Sequence, residues 1–109
     1  MASKYSKTYK FDPIVHGNST FKSITIEPPS INILSDAMER IYDFSDGASE
    51  KEQNKARLEG IKYIFEKCAT SPDGTVDPYL VGQIRADIVM EGGNYLLGFS
   101  ASAQEAQEK

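Results

Sequence analysis

The sequence holds a single cysteine, Cys68, so no disulfide can close within the chain, and the reducing cytosol is the expected setting. It also holds a single histidine, His16. A zinc centre needs several such ligands, and a Cys–His nucleophile pair needs a turn and a helix end brought together. His16 therefore reads as a turn residue and Cys68 as a small core residue. No apolar run approaches the length of a membrane span and no signal peptide is apparent, so neither a membrane partner nor secretion is expected. Positive charge is scarce: 12 Lys and Arg stand against 16 Asp and Glu, a net charge of −4. The densest basic run, Lys4, Lys7 and Lys10, is diluted by tyrosines along a strand-like stretch, where lysines act as solubilising edge residues. No nucleic-acid partner is expected. Calcium binding fails as well, because placing Gly74 on the loop glycine of an EF-hand puts the first and twelfth ligand positions on Ala69 and Leu80. Gly92-Gly93 lacks the following helix of a phosphate loop. No cofactor or metal is implied, and no catalytic residue stands out. Asp87 flanks an apolar arc but would need a donor from another element, since Arg85, two positions away on one helix, points elsewhere.

What is present is an ordinary balance of 39% hydrophobic and 26% charged residues in 109, enough for one compact domain. The spacing predicts an α+β domain over residues 1–99, frayed over its first four residues, and a polar tail over 100–109. Tyr9 and Phe11 alternate with Lys10 in a first strand that Asp12-Pro13 bends or bulges, placing it at a sheet edge. His16-Gly17-Asn18-Ser19 reads as a turn, and Phe21–Glu27 as a second strand with Ile24 and Ile26 on one face, giving a β-hairpin with a loop of about four residues. A hairpin alone is marginal, so it must pack on helices. After Pro28-Pro29, Ser30 caps a helix from Ile31 to about Phe44, with Ile31, Ile33, Leu34, Ala37, Met38, Ile41, Tyr42 and Phe44 inward. Ser49 and Glu52 form a capping box for a second helix ending near Cys68. Its buried arc is Leu58, Ile61, Ile64, Phe65 and Cys68, flanked by the charge ladder Glu52, Lys55, Glu59, Lys62, Glu66. Ala56, Gly60, Tyr63 and Lys67 form a third side, where the glycine marks either a close helix approach or an unoptimised surface position.

The chain is organised around Val76–Gly93. Asp77 caps and Pro78 opens a third helix over 78–91, and Gly92-Gly93 supplies the positive φ that ends it. Leu80, Val81, Ile84 and Ile88 form one apolar arc; Tyr79, Ala86, Val89 and Met90 form another, with Gly82 beside them. A helix with two apolar faces buries both or keeps one for a partner. The following segment, Asn94–Phe99, closes the core as a short strand or a last turn. Leu34, Ile41, Ile61, Phe65, Leu80, Ile84 and Ile88 are the expected core. The expected partner-binding residues are Ala56, Gly60, Tyr63, Tyr79, Val89, Met90, Tyr95 and Leu97. They would bind a second copy of the chain, forming a homo-oligomer, or an aggregation-prone client.

The stretch KFDPIVHGNSTFKSITIEPPS, Lys10 to Ser30, with the helix from Ile31, resembles the small tail assembly chaperones of tailed bacteriophages. In that family an apolar-x-Pro-Ile strand, a short glycine-containing turn and an Ile-Thr-Ile-like strand precede a proline and then helices. The later Ser71-Pro72-Asp73-Gly74 turn also fits, and the likeness covers most of residues 7–91. The family often carries a basic residue just before the proline, where this chain has Glu27, so a charge contact there does not transfer. The resemblance implies a non-enzymatic protein that binds the tail tape-measure protein, and tail-tube subunits, in the host cytoplasm. A reading of another class is an inhibitor or adaptor that blocks a host or defence protein through the acidic residues Asp36, Glu39 and Asp43.

Overall fold

The computed structural model describes residues 4–99, which form an α+β domain. In chain order the elements are β1 (Lys7–His16), β2 (Ser19–Ile26), α1 (Ile31–Ile41), α2 (Glu50–Cys68), β3 (Ala69–Thr70), α3 (Pro78–Gln83) and α4 (Ala86–Leu97). The polar tail expected over 100–109 lies outside the described residues.

The hairpin forms as its turn chemistry dictates, with a tighter loop than expected. His16 pairs with Ser19, so Gly17 and Asn18 alone make the turn. Gly17 has φ 65° and, among the described residues, no non-glycine residue has positive φ, the sign pattern of a type II′ hairpin turn. The bulge falls where Asp12-Pro13 requires it: the register shifts between Lys10↔Ser23 and Ile14↔Phe21. Sheet order is β1-β2-β3, which leaves β1 at an edge. The third strand has only two residues, too few to show a period in sequence. It pairs Thr25↔Thr70 and Ile26↔Ala69. Beyond it, side chains continue the edge of β2: Ser71 Oγ donates to the Ser23 carbonyl at 2.8 Å, and the Asp73 carboxylate accepts the Lys22 N–H at 2.8 Å.

Helix α2 is the element on which the others pack, touching α1, α3 and α4. Its start is set by Ser49, whose hydroxyl accepts the Glu52 N–H at 3.2 Å and meets the Glu52 carboxylate at 3.2 Å. Towards α1 it presents Ala56 and Gly60. A Cβ on Gly60 would overlap Ile41 and lie 3.0 Å from the Ala37 carbonyl, so the glycine permits a close helix crossing. The Tyr63 hydroxyl donates to Asp36 at 3.2 Å, and the Arg40 guanidinium lies 3.8 Å over its ring. The side of α2 carrying Ala56, Gly60 and Tyr63 is therefore covered by α1 of the same chain and is not spare. Helix α1 is also shorter than its apolar pattern. It stops at Ile41, and Ile31, Tyr42 and Phe44, expected inside, are exposed because the last two lie beyond the helix and the first lies at its start.

The helix expected over 78–91 is two helices. Ile84 and Arg85 have ψ of 146° and 135°, extended values that turn the chain between α3 and α4. The reason is the pair of apolar arcs. A straight helix would direct them to opposite sides; the break turns Leu80 and Val81 from α3, Ile84 of the break itself, and Val89 and Leu96 from α4 into one core. Gly92 and Gly93 do not end a helix. Neither has positive φ, both are buried inside α4, and Asn94–Leu97 continue it. A Cβ on Gly92 would lie 2.6 Å from the Phe65 ring and 3.3 Å from Ile26 Cδ1; one on Gly93 would overlap Ile61 and lie 3.2 Å from its carbonyl. Because Arg85 stands outside the helix, its guanidinium does reach Asp87, at 2.7 Å, contrary to the helical expectation. Both side chains are exposed, so the pair adds little. Of the expected core, Leu34, Ile61, Phe65, Leu80 and Ile84 are buried, whereas Ile41 and Ile88 are half-buried.

This packing inverts the usual sign of a glycine substitution. In an open helix interior Gly→Ala gains up to about 1 kcal/mol. Gly82→Ala, where a Cβ meets nothing within 4 Å, should gain in that direction. Gly92→Ala should lose about 1–3 kcal/mol through overpacking against Phe65. Thermal or denaturant unfolding of both variants checks this, and a gain at residue 92 would contradict the close α2–α4 approach.

Candidate functional site: an apolar groove

The break between α3 and α4 leaves a gap above α2. Leu58 and Ile61 of α2 form its floor, Val81, Gly82 and Ile84 one wall, and Ala86, Val89 and Met90 the other. The volume is 220 Å³, below the range of about 300–1,000 Å³ usual for small-molecule sites and suited to one or two apolar side chains. Lys62 is the one charged residue in its lining. Leu58 is 47% exposed, although helical spacing placed it in the buried arc. Tyr79, on α3, is 80% exposed.

Of the residues expected to bind a partner, the fold brings Val89 and Met90 to this groove, while Tyr79 stands exposed on α3 outside the lining. It does not bring the others. Ala56, Gly60 and Tyr63 face α1. The Tyr95 hydroxyl donates to the Tyr5 carbonyl at 2.6 Å, its ring lies under the Lys7 ammonium at 4.3 Å, and Phe99 packs edge-on against it at 5.5 Å, so it ties the start of the chain to the end of α4. Leu97 packs half-buried against the core. Sequence reasoning missed Leu58 as a site residue, and placed Val81, Ile84 and Ala86 only as arcs of one helix. Nothing in the residue types announces the break at Ile84-Arg85 that exposes Leu58.

A second cleft of 320 Å³ lies between α1, α2 and α3, lined by Arg40, Glu59, Lys62, Tyr63, Glu66, Lys67 and Pro78 with Val81. Its polar groups already have partners: Lys62 with Glu59 at 3.6 Å, Lys67 with Glu66 at 3.7 Å, and Tyr63 with Asp36. The apolar groove has no such satisfaction and is the better candidate.

At the far side of α3 a polar cluster joins the hairpin tip to the helix. His16 Nε2 donates to Asp77 Oδ2 at 2.8 Å, and Asp77 Oδ1 accepts the Leu80 N–H at 2.9 Å. The Gln83 side-chain amide donates to His16 Nδ1 and to the Tyr79 carbonyl, both at 3.4 Å. His16 thus ends a strand and binds α3, beyond its expected place in a turn. The His16 hydrogen bond first, then the Leu80 N–H, holds the Asp77 carboxyl below the usual carboxylate range.

The other reactive side chains stand apart. Burial pushes the Cys68 thiol up to about 11, which keeps it protonated, and its neighbours are core residues. The Tyr9 hydroxyl is buried without a hydrogen-bond partner; burial, with the Glu91 carboxylate nearby, raises it to about 12. Asp87 is exposed on α4, so the apolar setting expected of it does not exist. Among the described residues there is no group of three potential metal ligands, and no helix long and apolar enough to cross a membrane. No family model, curated protein or solved structure matches this chain.

The Asp77 contact gives a signed pH dependence. A depressed carboxyl stabilises the fold at pH values above its unfolded pKa and loses that contribution as pH falls through its folded value. The melting temperature of the wild type should exceed that of Asp77→Asn at neutral pH, and the gap should close as pH falls below about 4. A gap that persists unchanged in acid would show that the ionised carboxylate is not what holds the hairpin tip to α3.

Proposed function

We propose that this chain is a non-enzymatic tail assembly chaperone that holds an apolar helical segment of a client, a tape-measure or tail-tube protein, in the groove between α2, α3 and α4. The observation that carries the reading is the groove itself: an open, apolar recess of 220 Å³ with Leu58 exposed and Met90 half-buried in its lining. A recess of this size accepts side chains projecting from one face of an amphipathic helix, the usual helix-in-groove arrangement. Met90 suits exchange between partners, because an unbranched thioether adapts to different surfaces. The resemblance of Lys10–Ser30 to phage tail assembly chaperones supplies the class of client. Self-association through the same groove would shield it when no client is present, and no cofactor is called for.

Asp36 and Glu39, exposed on α1, and Asp43, exposed just beyond it, are the basis of the inhibitor reading. Asp36, however, accepts the Tyr63 hydroxyl, so part of that acidic face serves the α1–α2 contact.

Co-expression with a tape-measure fragment that is insoluble alone provides the test. The wild type should keep the fragment soluble, and Leu58→Asp or Met90→Asp should send it to the pellet while the variants themselves stay folded. Val89→Asp is unsuitable, because Val89 is only 6% exposed and its replacement would unfold the core. Reversing Glu39 and Asp43 to lysine should leave capture unchanged. Capture that survives both groove variants but is lost on charge reversal would favour the inhibitor or adaptor.

A further inference from the structure

Among the described residues four glycines lie within helices, and three of them seat a neighbour. A Cβ on Gly60 would overlap Ile41, one on Gly93 would overlap Ile61, and one on Gly92 would lie 2.6 Å from the Phe65 ring. Gly82 is the exception. It is exposed in the lining of the groove, and a Cβ placed on it meets nothing within 4 Å. Nor does it cap its helix, because its φ is not positive and α3 continues through Gln83. In a helix of six residues this is an unfavourable choice: glycine disfavours the helix, and here no contact within the chain offsets it. What bare backbone offers at such a position is room for another backbone to come closer than any side chain would allow.

The recess beside Gly82 decides what can approach. Its 220 Å³ lie over Leu58 and Ile61 and hold one large apolar side chain. On a helix, residues three or four positions apart share a face. A helix crossing α3 at Gly82 can therefore set a small residue against the bare backbone and a large one, a turn away, in the recess. Charge supplies the third feature. Lys62 is the one charged residue of the lining, and with Val81 it also borders the neighbouring cleft, so it stands where the two depressions meet. Its ammonium lies 3.6 Å from the Glu59 carboxylate, with the two side chains 47% and 57% exposed, so that pair is weakly held. A carboxylate on an incoming helix can share this ammonium, whereas a second ammonium would be repelled.

We infer that the groove selects an amphipathic client helix of one kind: a Gly, Ala or Ser packs on Gly82, a large apolar residue one turn away fills the recess, and an Asp or Glu lies beside Lys62. The inference rests on the groove being the client site. It adds that the site discriminates by backbone approach and by charge, which an apolar recess alone would not do.

The test measures two quantities for each variant: its thermal unfolding, and the soluble fraction of the co-expressed tape-measure fragment. Gly82→Ala should raise the melting temperature and lower the soluble fraction, opposite signs that a merely structural glycine would not give. Gly82→Leu, whose side chain enters the recess from its own wall, should stay folded and leave the fragment in the pellet. Lys62→Arg should retain capture and Lys62→Glu should weaken it several-fold. Replacing the acidic residues of the fragment by lysine should reverse that preference. Full capture by Gly82→Leu, with Leu58→Asp still defective, would overturn this inference and leave the groove reading standing. Full capture by Leu58→Asp as well, or a fragment that the wild type does not keep soluble, would overturn both. Unchanged capture by Lys62→Glu would overturn the acidic requirement.

Discussion

The contact between the Phe65 ring and the backbone of Gly92 sets the rest of the molecule. A Cβ at residue 92 would sit 2.6 Å from the ring, so α4 lies as close to α2 as backbone and phenyl allow. On its other side the ring meets Tyr9 of β1 at 6.5 Å, which makes Phe65 the point where sheet, α2 and α4 converge. Two glycines inside a helix cost about 2 kcal/mol together. Full burial of Phe65, Ile61 and Leu96 returns about 1.5–3 kcal/mol for each side chain, so packing outweighs propensity. Once α4 is seated there, the chain arriving from α3 cannot continue as one straight helix, and the extended pair Ile84-Arg85 makes the turn.

The groove follows from that turn. Two short helices meeting at an angle cannot cover α2 as one long helix would, and the uncovered strip is where Leu58 lies. Its lining is apolar because Val81, Ile84, Val89 and Met90 carry the two arcs that the sequence pattern displays along 78–91. The two apolar arcs were legible in the sequence; the recess that the break opens between them was not. Val89 and Met90 line it, whereas Ala56, Gly60 and Tyr63 serve the crossing of α1 over α2.

What could be read from the residues is what local chemistry decides. Ser30, Ser49 and Asp77 each accept an N–H of the helix they open, Pro78 begins α3, and Asp12-Pro13 bulges β1. These features depend on neighbours a few positions away. Gly92-Gly93 shows the limit. The same dipeptide ends a helix in isolation and seats one in a core, and only the Phe65 and Ile61 side chains, far off in sequence, decide between the two. The third strand escaped notice because its pairing is completed by the side chains of Ser71 and Asp73, and the His16–Asp77 bond spans residues whose types suit a turn and a cap equally well.

The central claim is that the groove between α2, α3 and α4 is where this protein meets its client. Methyl NMR of the chain, recorded with and without a soluble tape-measure segment, tests it most directly. Shifts concentrated at Leu58, Val81, Ile84, Val89 and Met90, with Ile31, Ile33 and Met38 of α1 unmoved, are the predicted result. Shifts confined to the α1 methyls, with the groove silent, would contradict it.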